Sequence, residues 1–118
     1  MGTLEDQREQ MLEWRQKGLE EALAKKNIPV YMRKPLVVYL IDGYRPGGFL
    51  AAVISNNFKE VCGRADDTNR NFLVSYAYVM VHGLPAHAQG SDERYEKWIE
   101  MGGLRGFLTV GQEGMRDQ

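Results

Sequence analysis

The chain has 118 residues, 43% of them apolar and 26% charged, and its 15 basic and 16 acidic side chains leave a net charge of −1. That supports one hydrophobic core but not two, excludes disorder along the whole chain, and excludes a global field that would draw the protein to nucleic acid or an anionic membrane. A single cysteine, Cys62, excludes an internal disulfide, and the longest apolar run, Leu36 to Ile41, falls far short of the ~20 residues needed to span a bilayer.

The first residues, Met-Gly-Thr-Leu-Glu-Asp-Gln-Arg, contain no apolar signal region, so the expected location is the cytoplasm. Residues 4–26 read as a long surface helix. Thr3 caps it, with Asp6 three positions on. Acidic Glu5 and Asp6 open it and Lys25 and Lys26 close it, which complements the helix dipole at both ends. Its apolar residues are Leu4, Met11, Leu12, Trp14, Leu19, Ala22 and Leu23. That stripe is thin for so long a helix, and a second subunit is one way to cover it. Residues 1–27 are therefore expected to form an N-terminal, oligomerising helix.

Asn27-Ile28-Pro29 breaks that helix, and Pro29 and Pro35 frame a short segment. Leu36 to Ile41 is apolar at every position, so periodicity cannot separate strand from helix. The flanking Pro35 and Gly43 favour a short buried helix, with a strand over 36–41 as the α+β alternative. Pro46 suits the first position of the next helix, whose apolar face is Phe49, Leu50, Val53, Ile54 and Phe58, extended by Val61 and Cys62. Asn56-Asn57 is a candidate interruption. Phe72, Leu73, Tyr76, Ala77, Val79 and Met80 read as a further helix, stopped by Gly83 and Pro85. Residues 84–90 read as a loop. Ser91 caps a last helix that buries Tyr95, Trp98, Ile99 and Met101 and ends at Gly102. The expected fold is mainly α, a compact bundle of about four to six helices, with a core domain at 28–108 and a flexible tail at 109–118.

The segment Gly43-Tyr44-Arg45-Pro46-Gly47-Gly48-Phe49 concentrates the unusual residues. Bare glycine backbone at a helix start, beside an arginine, suits a phosphate or carboxylate. Tyr44 suits stacking on a planar ligand. The same glycines equally suit a tight helix–helix corner. The segment is not a P-loop, because no Lys-Ser/Thr follows the glycines, nor does it have dinucleotide-fold spacing. A second polar cluster comprises Asn56, Asn57, Arg64, Asp66, Asp67, Asn69, Arg70 and Asn71. It reads either as helix caps and surface ion pairs or as a pocket wall. In the pocket reading, Arg64 and Arg70 hold an anion and Asn56 and Asn69 read a base or sugar. His82, His87 and Cys62 have no familiar metal spacing, and nothing pairs a nucleophile with a base. No catalytic residue, metal or cofactor is expected, and the chain reads as a non-enzyme.

Five segments carry a resemblance: Ile28-Pro29-Val30-Tyr31-Met32, Gly43-Tyr44-Arg45-Pro46-Gly47-Gly48-Phe49-Leu50-Ala51-Ala52-Val53, Asn56-Asn57-Phe58-Lys59-Glu60, Arg64-Ala65-Asp66-Asp67-Thr68-Asn69, and Trp98-Ile99-Glu100-Met101-Gly102-Gly103-Leu104. Together they resemble a family of small bacteriophage- and prophage-encoded proteins over residues 28–104. Asn57 and Gln89 depart from that pattern, which has aspartate and tryptophan there. The resemblance implies action by binding, inside the host cell cytoplasm. The expectation is a phage-type protein that counters host antiviral defence by sequestering a small, nucleotide-like anion. Its expected contacts are Tyr44, Arg45, Gly47, Gly48, Arg64, Asn69 and Arg70, in a homo-oligomer. The alternatives are an inhibitor or adaptor that engages a host defence protein, and an accessory nucleic-acid-binding phage factor, which the net charge disfavours.

Overall fold

A computed structural model describes the backbone of residues 3–116 and the side chains of residues 3–109. The first helix, α1 (Leu4–Lys25), opens on a complete capping box: the Asp6 amide donates to Thr3 Oγ1 and the Thr3 amide donates to Asp6 Oδ2, both at 3.1 Å. It ends where Asn27 turns the chain with a left-handed φ of 55°. Its apolar residues split between two faces. Leu12, Leu19, Ala22 and Leu23 are buried, whereas Leu4, Met11 and Trp14 face outward.

The second helix, α2 (Val30–Asp42), runs straight through Pro35. The separate segment expected between Pro29 and Pro35 is thus the first turn of one helix. Residues 36–41 are helical, which removes the α+β alternative. Pro35 is the sixth residue of the helix, so its missing N–H costs the bond to the Tyr31 carbonyl one turn earlier. Beyond it, Leu36, Tyr39 and Leu40 share one face at the i, i+3, i+4 spacing and are fully buried. Gly43 closes the helix with a left-handed φ of 70°.

Next come α3 (Gly48–Ile54) and α4 (Phe58–Arg64). Pro46 is not the helix opener expected from sequence, because α3 begins two residues later with Gly47 as its cap. The break at Asn56-Asn57 does occur: Asn56 takes a left-handed φ of 61° and Asn57 accepts from the Glu60 amide to start α4. Asp66 caps the single turn α5 (Asp67–Arg70), and α6 (Leu73–Gly83) follows. A 3-10 turn, Ala86–Ala88, leads to α7 (Asp92–Met101), capped by Ser91 and closed by left-handed Gly102. A further helix, α8 (Gly103–Arg116), continues past Thr109, where the sequence suggested an irregular tail. Asp117 and Gln118, like Met1 and Gly2, lie outside the described residues.

The protein is therefore mainly α, with eight α-helices and no strand among the described residues. The surplus over four to six comes from the breaks at Asn56 and at Ala65-Asp66, and from α8. Trp98, Tyr39, Tyr76, Leu19, Leu23 and Ile28 fill the centre. The Trp98 indole N–H donates to the carbonyls of Tyr39 (3.1 Å) and Leu40 (3.3 Å), which pins α7 against the C-terminal half of α2. Among the described residues, no helix is long and apolar enough to cross a membrane.

Candidate functional site

The Gly43–Phe49 segment is first of all a packing corner. A Cβ on Gly43 would lie 2.6 Å from the Gly103 amide nitrogen, so the end of α2 and the start of α8 meet backbone to backbone. The following residues diverge. Tyr44 is exposed. Arg45 reaches back to α7 and holds Glu96 with both arms of its guanidinium, Nη1 to Oε1 at 2.8 Å and Nη2 to Oε2 at 2.9 Å. Both partners are about half exposed. The hydrogen-bonded Arg45 holds the Glu96 carboxyl below its ordinary range. Arg45 also lies 5.7 Å above the ring of Tyr95. The Tyr95 hydroxyl is buried with no hydrogen-bond partner among the described residues, and burial raises its pKa.

Gly47 is open, with nothing near a would-be Cβ. Gly48 is covered by Arg64, whose Nη1 sits 2.7 Å from a would-be Cβ, while Arg64 Nε donates to Glu60 at 2.7 Å. The structure thus brings Gly48 and Arg64 together, although an intrahelical carboxylate already engages the guanidinium.

Asn69 and Arg70 face other tasks. Asn69 is 1% exposed. It accepts from the Tyr76 hydroxyl at 2.5 Å, donates through Nδ2 to the Tyr31 hydroxyl at 3.2 Å, and gives its own amide to Asp66 at 2.6 Å. Tyr31 in turn donates to Asp66 at 2.8 Å. This closed network ties α2, α5 and α6 together and leaves Asn69 no free edge for a base or sugar. Arg70 bonds Asp67 and the Ala65 carbonyl. Of the seven predicted contacts, Gly48 and Arg64 come together, Arg45 pairs with Glu96 of α7, Tyr44 and Gly47 are exposed, and Asn69 and Arg70 serve the turn around α5.

The sequence missed a more distinctive surface. Phe58 and Cys62, expected on a buried helix face, are both exposed; α4 buries no residue at all. Phe58 is 73% exposed, and across from it on α6 Val74 is 86% and Val81 68% exposed. Between them lies a cleft of about 450 Å³, walled by α3, α4, α6 and the loop at Gln89-Gly90, and none of its lining residues is charged. One signal did point there. α6 is apolar almost all round, and a small domain cannot bury every face of such a helix. Tyr76, Val79 and Met80 took the core, leaving Val74, Ala77 and Val81 outside at the i, i+3, i+7 spacing. A second cleft of about 700 Å³ lies along α7, where Arg94 and Lys97 are balanced by Glu93 and Glu100. It offers no net charge to an anion.

No protein-family model, no curated protein and no solved structure matches the chain.

Proposed function

We propose that this chain is a non-enzymatic binding protein that engages a protein partner through the apolar cleft between α3, α4 and α6. One observation carries the reading: three large apolar side chains, Phe58, Val74 and Val81, stand in solvent around a cleft lined without a single charge. Contiguous exposed apolar surface is unfavourable unless a partner covers it. Lack of lining charge disfavours phosphates and nucleotides here. It suits the apolar face of a partner's amphipathic helix, which enters such grooves with anchors about one turn apart. In the phage-type setting implied by the sequence resemblance, the partner is a host defence protein and the outcome is its inhibition. The test is co-purification from host cells with wild type, Val74→Glu and Val81→Glu. The reading expects one stoichiometric protein whose retention both substitutions abolish. Equal retention by wild type and both variants would remove the cleft from function.

A second reading, sequestration of a small nucleotide-like anion, is favoured by Arg45. Its guanidinium already grips a carboxylate in a half-exposed position, over the ring of Tyr95 and next in the chain to exposed Tyr44. An incoming anion would replace Glu96. A thermal-shift panel of linear and cyclic nucleotides tests this, since a ligand at 100 times its dissociation constant stabilises the fold by ~2.7 kcal/mol. No shift with any nucleotide, or an equal shift in Arg45→Ala, excludes this site.

A further inference from the structure

The outward face of α1 is a second surface, separate from the cleft. Leu4, Gln7, Met11, Trp14 and Gly18 step along the helix at intervals of three, four, three and four residues, the spacing of a seam between paired helices. All five are exposed and uncharged, and Trp14 is 65% exposed. The other exposed positions of α1 are nearly all charged.

Gly18 sits in the interior of a long helix, where glycine is less favourable than alanine. A Cβ there would meet nothing within 4 Å, so nothing among the described residues requires a glycine. Gly83 differs, since its Cβ would strike Leu19 Cδ1 at 2.8 Å. The bare backbone at Gly18 forms one wall of a hollow of about 140 Å³ that Trp14, Arg15 and His82 also line. A large exposed ring, with Arg15 5.8 Å from its centroid, thus borders an unfilled recess.

Charge along α1 then selects a partner and a direction. Residues 4–14 carry four carboxylates and one arginine, while residues 15–26 carry four cations and two carboxylates. Two copies in parallel would set like halves together. Antiparallel copies set the acidic half against the basic half and also oppose the helix dipoles. A two-fold axis provides that arrangement, because the same patch then meets itself.

We propose that a second copy of this chain covers the outer face of α1, antiparallel, with Trp14 of each copy seated against Gly18 of the other. Sedimentation with tryptophan fluorescence tests it. Trp98 is fully buried, so a concentration-dependent change in emission reports Trp14. Wild type should sediment at twice its 13.5 kDa mass and shift its emission to the red as dilution dissociates it. Trp14→Glu should be monomeric. Gly18→Leu is the decisive variant: the protomer has room for the side chain, so its helical circular dichroism should match wild type, while the filled recess weakens the dimer at least about tenfold. Val74→Glu should leave the dimer intact, which separates this proposal from the cleft reading. A monomeric wild type at the highest concentration reached overturns the proposal, and so does a Gly18→Leu protein that pairs as tightly as wild type.

Discussion

Gly43 and Gly103 lie with their backbones in direct contact, and each is in the left-handed region, at φ of 70° and 71°. A side chain at either position would meet the other's amide and would also hold a conformation costly for non-glycine residues. Gly103→Ala should therefore destabilise the fold by about 2–4 kcal/mol, combining backbone strain with overpacking. Gly63, inside α4 with open space around it, serves as the contrast. Gly63→Ala should stabilise by up to ~1 kcal/mol, from helix propensity alone. Urea unfolding of both variants checks the pair. A Gly103→Ala protein as stable as wild type would mean that α2 and α8 are not packed this way.

Asn69 should be among the least replaceable polar residues. Asn69→Ala leaves the buried Tyr76 hydroxyl without its acceptor and removes a donor to Tyr31. An abandoned buried hydroxyl costs about 1–3 kcal/mol, and the lost side-chain packing adds to that. Tyr76→Phe should cost less, because it strands only the Asn69 carbonyl oxygen. The double variant should cost less than the sum of the singles, since the two groups satisfy each other. Denaturant unfolding of the four proteins gives the coupling; additive effects would exclude the hydrogen bond.

The acid sensitivity of the fold follows from two carboxylates. The Asn69 amide, and after it the Tyr31 hydroxyl, hold the Asp66 carboxyl below its ordinary 3.8; Arg45 holds Glu96 below its ordinary 4.5. Both folded-state values lie below the unfolded ones. Their stabilisation is therefore fully present above the unfolded values and is lost as pH falls through the depressed folded ones. The melting temperature should start to drop below about pH 4.5. Asp66→Asn should melt lower than wild type near neutrality and lose less of its remaining stability on acidification. A wild-type acid limb retained in full by Asp66→Asn would assign the sensitivity to other groups.

Local interactions were legible in the sequence, and contacts between distant residues were not. Caps were legible, because Thr3, Asn57, Asp66 and Ser91 act on amides within their own turn. Glycine stops at 43 and 102 were legible for the same local reason. The helix over 36–41 was readable from Gly43 after its end and from the helical character of the rest of the chain, once strand and helix patterns tied. Three things depend on distant partners and stayed hidden. Pro35 was read as a boundary, but core packing of Leu36, Tyr39 and Leu40 carries the helix past it. Arg45 pairs with Glu96, 51 positions away. Phe58 looks like any core phenylalanine until α4 proves to bury no residue.

That uncovered position yields the last prediction. Val74 and Phe58 are so exposed that their folded environment barely differs from water. Replacing either with a polar residue should change stability by no more than about 0.5 kcal/mol. The patch, however, should behave as apolar surface. An environment-sensitive dye that binds exposed hydrophobic clusters should fluoresce with wild type and dim in Val74→Glu and Phe58→Ser, at unchanged melting temperature. A pronounced loss of stability in both variants would mean that the cleft is closed in solution. Undiminished dye binding with full stability would locate the exposed apolar surface elsewhere, with the outer face of α1 the first region to test through Trp14→Glu.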